Sequence, residues 1–284
     1  MLQVNSLKNS VGAAVITLGR GARRGSGLVV AENRAVAMMH SLRSEQLEVR
    51  IGGESRAGTI EGTDPATGVG LLAVPTGDVA PITWAAEVPQ LGDRVFALGD
   101  PGTGLRITEG RVSSAPLSLR GPSGRLIEGV EHTAPLPRGS GGSALVNDDG
   151  AVVGLNTLRT DPGFLFAIGT AAVRPAVERL LAGKAETGRL GVAIAPPRVA
   201  RRLRVAVGLP DRDGLLVRGV EEGSVAAAAG VQVGDLLVGL GEQSLDSLDA
   251  LFSVLDAEPR DTTLTVIRGV DEFELPVSLG GGPR

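Results

Sequence analysis

Residues 138–147 read Arg-Gly-Ser-Gly-Gly-Ser-Ala-Leu-Val-Asn, and after Asp148-Asp-Gly150 the chain continues Ala-Val-Val-Gly-Leu-Asn-Thr157. A turn rich in glycine and serine runs into the apolar stretch Ala144–Val146, and a second apolar stretch, Val152–Asn156, follows the Asp-Asp-Gly turn. That is the pattern of two short strands with a backbone-rich loop at the entry. Working outward, further short apolar runs punctuate the region from Val11 to about Gly169. They are Val11–Leu18, Ser26–Val30, Ala35–Met39, Leu47–Ile51, Leu71–Val74, Arg94–Leu98, Arg111–Val112 and Phe164–Ile168. Between them lie Gly52-Gly53, Asp64-Pro65, Asp100-Pro-Gly102 and Gly121-Pro122. Many short strands at this spacing predict an all-β sandwich or barrel.

A helix is expected to close this region, with Pro175 in its first turn, Val177, Leu180 and Leu181 as its apolar stripe, and Gly183 at its stop. This places a first domain at 1–183. The polar stretch 184–188 is read as a linker, and 189–284 as a second, small domain of mixed α and β texture. Its expected elements begin with a strand at Leu190–Ile194 and a helix from Val199 to about Val207. A strand at Gly214–Val220 and an alanine helix capped by Ser224 and stopped at Gly230 come next. After the strand Asp235–Leu240, a helix capped by Ser247 carries Leu248, Leu251, Phe252 and Leu255 on one face. A hairpin around Gly269, Thr263–Arg268 with Glu272–Val277, ends the series.

Composition narrows the function. The 284 residues hold 28 Lys and Arg against 32 Asp and Glu, a formal net charge of −4. A mildly acidic chain is unsuited to sequence-independent nucleic-acid binding. The absence of cysteine excludes disulfides and thiolate metal sites, and two histidines, His40 and His132, make no histidine-rich metal centre. No metal or cofactor is expected. Nothing approaches the ~18 apolar residues of a membrane span. The stretch Met1 to Arg20 lacks the pattern of a signal peptide, so the expected compartment is cytoplasmic, or periplasmic or extracellular if a leader has been trimmed. With five Phe, one Trp and no Tyr, the core must be built from Val, Leu, Ile and Ala, while 42 glycines favour turns.

Several ordered motifs carry a resemblance. They are Gly25-Ser-Gly-Leu-Val-Val30, Ala37-Met-Met-His-Ser-Leu42, Gly62-Thr-Asp-Pro-Ala-Thr-Gly-Val-Gly-Leu-Leu72, the 138–147 stretch, Val153-Gly-Leu-Asn-Thr157, Leu165-Phe-Ala-Ile168 and Arg189-Leu-Gly-Val192. In this order the chain resembles an HtrA-type serine protease: a trypsin-like double β-barrel followed by a small α+β PDZ domain. The fold implied is mostly β.

The resemblance implies a Ser-His-Asp triad, in which serine attacks the peptide carbonyl, histidine takes its proton and aspartate orients the imidazole. His40 falls at the histidine position. The aspartate position is occupied by Gly68, and Asp64 matches a preceding, non-catalytic aspartate. Aligned without a gap on Ala144-Leu-Val-Asn147, the nucleophile position is Gly141. Aligned on Ser-Gly-Gly it is Ser140, a shift of ~3.8 Å along the chain, and Ser143 lacks the following Gly-Gly. The oxyanion hole falls on Gly139, Ser140 and Gly141. Two readings follow. In one, the barrel is a peptide-binding scaffold with impaired proteolysis. In the other, an active serine endopeptidase of protein quality control uses a His40–Ser140 dyad. A third, a barrel with no cleft function, stays open beside them. His132 reads as a structural histidine.

For the second domain, the resemblance implies a groove that takes a peptide C-terminus as an added strand, formed by Leu190, Gly191, Val192, Ala193 and Ile194, with the Ser247–Asp256 helix as its other wall. The implied partners are peptide or protein C-termini and unfolded segments. Trimers of the family use aromatics near the N-terminus. Here the first aromatic is Phe96, so an oligomer of that kind is not expected. Arg198, Arg201, Arg202 and Arg204 are read as the solvated face of a helix, and Arg20, Arg23 and Arg24 as solvated loop residues.

Overall fold

The computed structural model describes residues 2–19, 25–42, 44, 46–101, 103–121, 124–183, 189–195, 197–255 and 260–279. Arg20, Arg23, Arg24 and the 184–188 stretch lie outside the described residues. The chain divides into two units, Met1–Lys184 and Ala185–Arg284.

In the first unit, α1 (Leu2–Asn9) and α2 (Val11–Ala14) lead into β1 (Val15–Leu18). With β2 (Gly25–Ala31), β3 (Arg34–Met38), β4 (Gln46–Ile51), β5 (Glu54–Asp64) and β6 (Val69–Ala73) it forms a closed barrel of order β1-β2-β3-β6-β5-β4. A second closed barrel, β10-β11-β12-β9-β8-β7, is made of β7 (Arg94–Gly99), β8 (Arg106–Arg120), β9 (Leu126–His132), β10 (Ala144–Val146), β11 (Val152–Asp161) and β12 (Phe164–Gly169). The helix α3 (Thr170–Leu181) follows. Closure removes free strand edges.

Strand alternation explains why these segments read as unbroken apolar runs. Val29, Ala35, Ala37 and Leu72 fill the first barrel, and Val95, Ala97, Leu145 and Val153 the second. Their neighbours Leu28, Val36, Leu71, Phe96, Leu98, Ala144 and Leu155 share one core cluster drawn from both barrels. In β1, β3, β6, β7 and β10 both faces are buried, so the period-2 signal vanishes into a continuous one. The turns after β3 and before β10 are thereby brought together.

The structure corrects three expectations in this unit. Val11–Leu18 is half helix, because Leu7 and Val11 are both buried in the shared core and the strand begins only at Val15. A short apolar run does not by itself distinguish the two forms. Pro175 lies inside α3 rather than in its first turn. The helix starts at Thr170, whose hydroxyl bonds Val152 O (3.2 Å), and burial of Val173, Ala176 and Val177 offsets the missing N–H. Finally, β5 and most of β8 escape a search for apolar runs because their faces are largely exposed or half-buried, and β9 escapes it because Glu128, Gly129 and Glu131 interrupt its apolar residues although most of the strand is not exposed.

The second unit comprises β13 (Val192–Ile194), α4 (Pro197–Ala206), β14 (Leu215–Val220), α5 (Val225–Ala228), β15 (Leu236–Leu240), β16 (Gln243–Ser244), α6 (Leu248–Leu255), β17 (Arg260–Arg268) and β18 (Asp271–Leu279). The sheet order is β13-β14-β15-β17-β18, with β16 on β15. Ser224 and Ser247 cap α5 and α6 through bonds from Ala227 N and Ala250 N, each 3.2 Å. Buried Asp235 takes a two-pronged bond from Arg268 (2.8 and 2.9 Å).

The solvated-arginine reading of α4 is corrected at one residue. Arg198, Arg201 and Arg202 are exposed, but Arg204 is 3% exposed, with its Nε on Pro210 O (3.3 Å). The small Ala200, one turn earlier, packs on Leu216, Leu236 and Ile267, so position 204 follows it inward at i+4. Val205 and Val207 are left 61% and 71% exposed. Among the described residues no helix is long and apolar enough to cross a membrane.

Candidate functional site

His40 sits in a single 3-10 turn, Met39–Ser41, directly after β3. This turn is tied to position 68: Met39 N donates to Gly68 O (2.8 Å), and Gly68 N to Asp64 O (2.8 Å). Gly68 has φ +74°, and a Cβ there would meet only Met38 Cε, at 3.4 Å. No carboxylate therefore stands behind the imidazole from this position. Asp64 is buried and otherwise engaged. Its Oδ1 accepts from Ala66 N (2.9 Å) and Thr67 N (3.2 Å), and its Oδ2 pairs with Arg179 of α3 (2.6 Å).

The 139–142 turn reaches His40 through position 141. A Cβ built on Gly141 would lie 3.1 Å from His40 Nε2 and 3.3 Å from Cε1. Ser140 turns elsewhere. It is 3% exposed, its hydroxyl has no hydrogen-bond partner, and it lies against Gly99, whose Cβ would come 3.2 Å from Ser140 Oγ. Ser143 is fully buried and its Oγ accepts from Asn156 Nδ2 (3.1 Å). The turn is held from both barrels: Ser26 N donates to Gly141 O (2.9 Å), Gly142 N to Asn156 O (2.7 Å) and Asn156 N to Ser143 O (2.9 Å). Among the described residues, no carbonyl or side chain takes the N–H of Gly139 or of Gly141.

His132 belongs to a buried chain of hydrogen bonds that braces this turn. Ala134 N donates to His132 Nδ1 (3.2 Å), which puts the ring proton on Nε2 and directs it to Asn156 Oδ1 (2.6 Å). Asn156 Nδ2 then donates to the carbonyl and hydroxyl of Ser143 (3.2 and 3.1 Å). Asn156 and Ser26 were not singled out from the sequence. The available signal was a lone amide ending an apolar strand. Burial lowers the His132 pKa to about 4, against the opposing effects of its bond to Asn156 and of Glu131.

The folded pKa lies below the unfolded value of 6.5. Above pH 6.5 both states are neutral and the group has no effect. Between 6.5 and 4 only the unfolded chain binds the proton, so stability falls as pH falls, by up to about 1.4 kcal/mol per unit and roughly 3 kcal/mol in all. Urea unfolding at pH 7 and pH 4.5, followed by the sole tryptophan, Trp84, should show this slope. In His132→Gln the stability difference between the two pH values should shrink by about 2–3 kcal/mol.

In the second unit, Leu190 O accepts from Ala226 N (2.9 Å) and Gly191 O from Glu221 N (2.8 Å). Gly191 has φ +76°, and a Cβ there would lie 2.2 Å from Ser224 Cβ. The next residues form β13, which pairs on one side with β14, Val192 opposite Val220 and Ala193 opposite Gly219. Its other side is the end of the sheet. Val192, Ile194, Leu248 and Phe252 pack on the core while remaining partly exposed. An edge strand with partly exposed apolar side chains is what an incoming extended peptide needs.

Two barrels meeting at a histidine turn and a glycine-rich turn define a trypsin-like fold, and the second unit is built on its own six-stranded sheet. Residues 25–155 match the trypsin-like peptidase domain and residues 216–268 the PDZ domain. Over 271 residues the chain is 26% identical to a probable periplasmic serine endoprotease, DegP-like, of Rickettsia prowazekii, covering 90% of this chain and 52% of the relative. The chain thus spans about half the length of the curated relatives it matches. Among solved structures, the HtrA-type protease AlgW with decapeptide aligns at TM-score 0.69 and 21% identity over 99% of both chains. The serine endoprotease from Yersinia pestis aligns at 0.67 and 23% over 97% of this chain and 96% of that one. The chain is thus a homologue of the HtrA-type trypsin-like proteases, with a trypsin-like peptidase domain followed by a PDZ domain.

Proposed function

We propose that this protein binds peptides and unfolded protein segments, and that its barrel has lost efficient acyl transfer. One observation carries the reading: the side-chain position opposite His40 Nε2 is Gly141, while the neighbouring Ser140 hydroxyl lies buried against Gly99. Gly68 adds to it, because it stands where the resemblance places the triad's aspartate, and loss of that aspartate costs roughly 10⁴ in rate even beside a good nucleophile. The backbone cradle at Gly139 and Gly141 persists, and with it a means of holding a peptide carbonyl.

In the PDZ unit, the unpaired edge of β13 and the loop at Leu190 and Gly191 support capture of a peptide C-terminus as an added strand, with Val192 and Ile194 on the sheet side and Leu248 and Phe252 on the α6 side. Ala193 lies between them on β13. The relatives are named periplasmic, which favours action outside the cytoplasm over the cytoplasmic expectation.

The test is to incubate the protein with a reporter peptide that it binds, measured by calorimetry, and then to weigh the peptide by mass spectrometry. Recovery of bound peptide intact is expected. Cleavage that disappears in His40→Ala would overturn the reading.

A further inference from the structure

Charge is unevenly spread along this chain. Between Ala195 and Arg218 the sequence holds six arginines and two aspartates, a net +4 inside a chain of net −4. Arg201 is matched by Asp211 (3.6 Å) and Asp213, and Arg212 by Glu272 (3.5 Å). Arg198, Arg202 and Arg218 are exposed and, among the described residues, have no carboxylate partner. Arg204 is 3% exposed, gives its Nε to the neutral Pro210 O, and its Nη1 is buried with no partner among the described residues. A guanidinium held in such a site without a carboxylate favours an anion nearby.

The arginines gather on one side of the sheet. Val192 and Ile194 pack on the core shared with α6, so Ala193 between them points to the opposite face, where it is exposed. Its neighbour on β14 is Gly219, and a Cβ there would stand 3.4 Å from the Ala193 Cβ. Leu216 faces the same way, because it packs with Ala200 of α4, whereas Leu215 and Val217 belong to the α6 side. Arg218 follows Val217 and is exposed, which puts it on the α4 side too. The edge of the sheet therefore has, on this side, a floor of Ala193 and Gly219 with arginines on the next strand and on the helix.

A peptide whose C-terminus sits at Leu190 and Gly191 and which adds to β13 runs antiparallel to it. Its upstream end passes Ile194 and Ala195 and meets the start of α4, where Arg198 and Arg202 stand one turn apart. Side chains of the added strand alternate between the two faces. With the last one in the groove beside Val192, Ile194, Leu248 and Phe252, the second and fourth from the end face the Ala193 side. Arg218 is then two strand spacings away, about 10 Å. Gly219 and Ala193 put almost no bulk between, and an arginine and a glutamate extended toward one another close that gap. Resting on the capture reading above, we propose that the PDZ unit selects acidic C-terminal segments, with Glu or Asp at the second and fourth residues from the end paired by Arg218, and acidic residues further upstream paired by Arg198 and Arg202.

The full-length protein is titrated, by fluorescence anisotropy, with labelled heptapeptides ending in Ala, Val, Leu or Phe. In the tightest of these, Glu, Gln or Lys replaces each of the second to fifth residues from the end in turn. Glu should bind about threefold more tightly than Gln, and Lys more weakly still, at the second and fourth residues, with no such order at the third and fifth. The preference should fade as salt rises from about 0.05 to 0.5 M. Arg218→Glu should reverse the order, so that Lys binds best at the second residue, a change that a purely structural role for Arg218 would not produce. Equal binding of Glu, Gln and Lys, or an order without alternation, overturns the inference and leaves the capture reading standing. So does an order that is unchanged in Arg218→Glu. Sedimentation of the protein with phosphatidylglycerol vesicles, without any acidic preference among peptides, would assign the basic stretch to a lipid surface instead. If no peptide binds, or if binding is unaltered in Gly191→Val, the capture reading fails and the inference with it.

Discussion

Gly141→Ser should gain peptidase activity by roughly 10² over the natural chain. The estimate follows from how triad members act as a unit: losing the serine costs about 10⁶ in kcat, whereas losing the aspartate alone costs about 10⁴. The natural chain, lacking both, is expected near the lower level, and the variant near the higher. The substitution is sterically modest. Gly141 is not in a positive-φ conformation, and the new Cβ would face His40 at 3.1 Å, close enough that the imidazole must yield by a few tenths of an ångström. The complementary repair at Gly68 is harder, because an aspartate there must adopt φ +74°, at a cost of about 1–2 kcal/mol. The check is cleavage of a reporter peptide by Gly141→Ser, with Gly141→Ser/His40→Ala as control. A gain that survives loss of His40, or no gain from a folded variant, would contradict the geometry drawn for this turn.

Gly191→Val should cost the PDZ unit about 2–5 kcal/mol and weaken C-terminal peptide capture there by more than tenfold. Two penalties combine. A β-branched residue at φ +76° is strained, and its Cβ would overlap Ser224, 2.2 Å from that residue's Cβ and 2.8 Å from its Oγ. Ser224 in turn caps α5 by accepting from Ala227 N, so displacing it loosens the helix beside the loop. Because the only tryptophan, Trp84, is in the first unit, its fluorescence will not report this loss. Hydrogen exchange read over β13 and β14 will. Exchange unchanged from the natural chain would refute the packing argument, and unchanged capture would refute the role of the Leu190–Gly191 loop.

The double barrel and the PDZ-type unit were legible because both depend on order: apolar runs, turn glycines and caps follow one another at spacings few other folds use. Ser224 and Ser247 cap the helices expected of them, and Gly269 turns the last hairpin. Elements without an apolar signature were not legible. In β5 the exposed positions outnumber the buried ones, so the strand is held by pairing with β4 and β6 and leaves little trace in hydropathy. Arg204 misled for a related reason. Its type argues for solvent, whereas the small Ala200 one turn earlier lets the helix lie close and carries position 204 inward.

At the site, sequence spacing placed residues near His40 to within one position. It left open whether 140 or 141 faces the ring, because that choice is made by the path of a glycine turn rather than by residue type. The bonds from Ser26 N to Gly141 O and from Gly142 N to Asn156 O hold that path, and they join residues far apart in the chain. The His132–Asn156–Ser143 chain was hidden in the same way.

The account's central claim is that no working nucleophile faces His40. Labelling of the natural chain with a fluorophosphonate probe, followed by peptide mapping, addresses it directly, with Ser140→Ala and His40→Ala as controls. The account predicts no label on a folded protein that still captures C-terminal peptides. Stoichiometric label at Ser140 that requires His40 would contradict it, because the glycine turn would then have to swing the Ser140 hydroxyl from Gly99 to the imidazole.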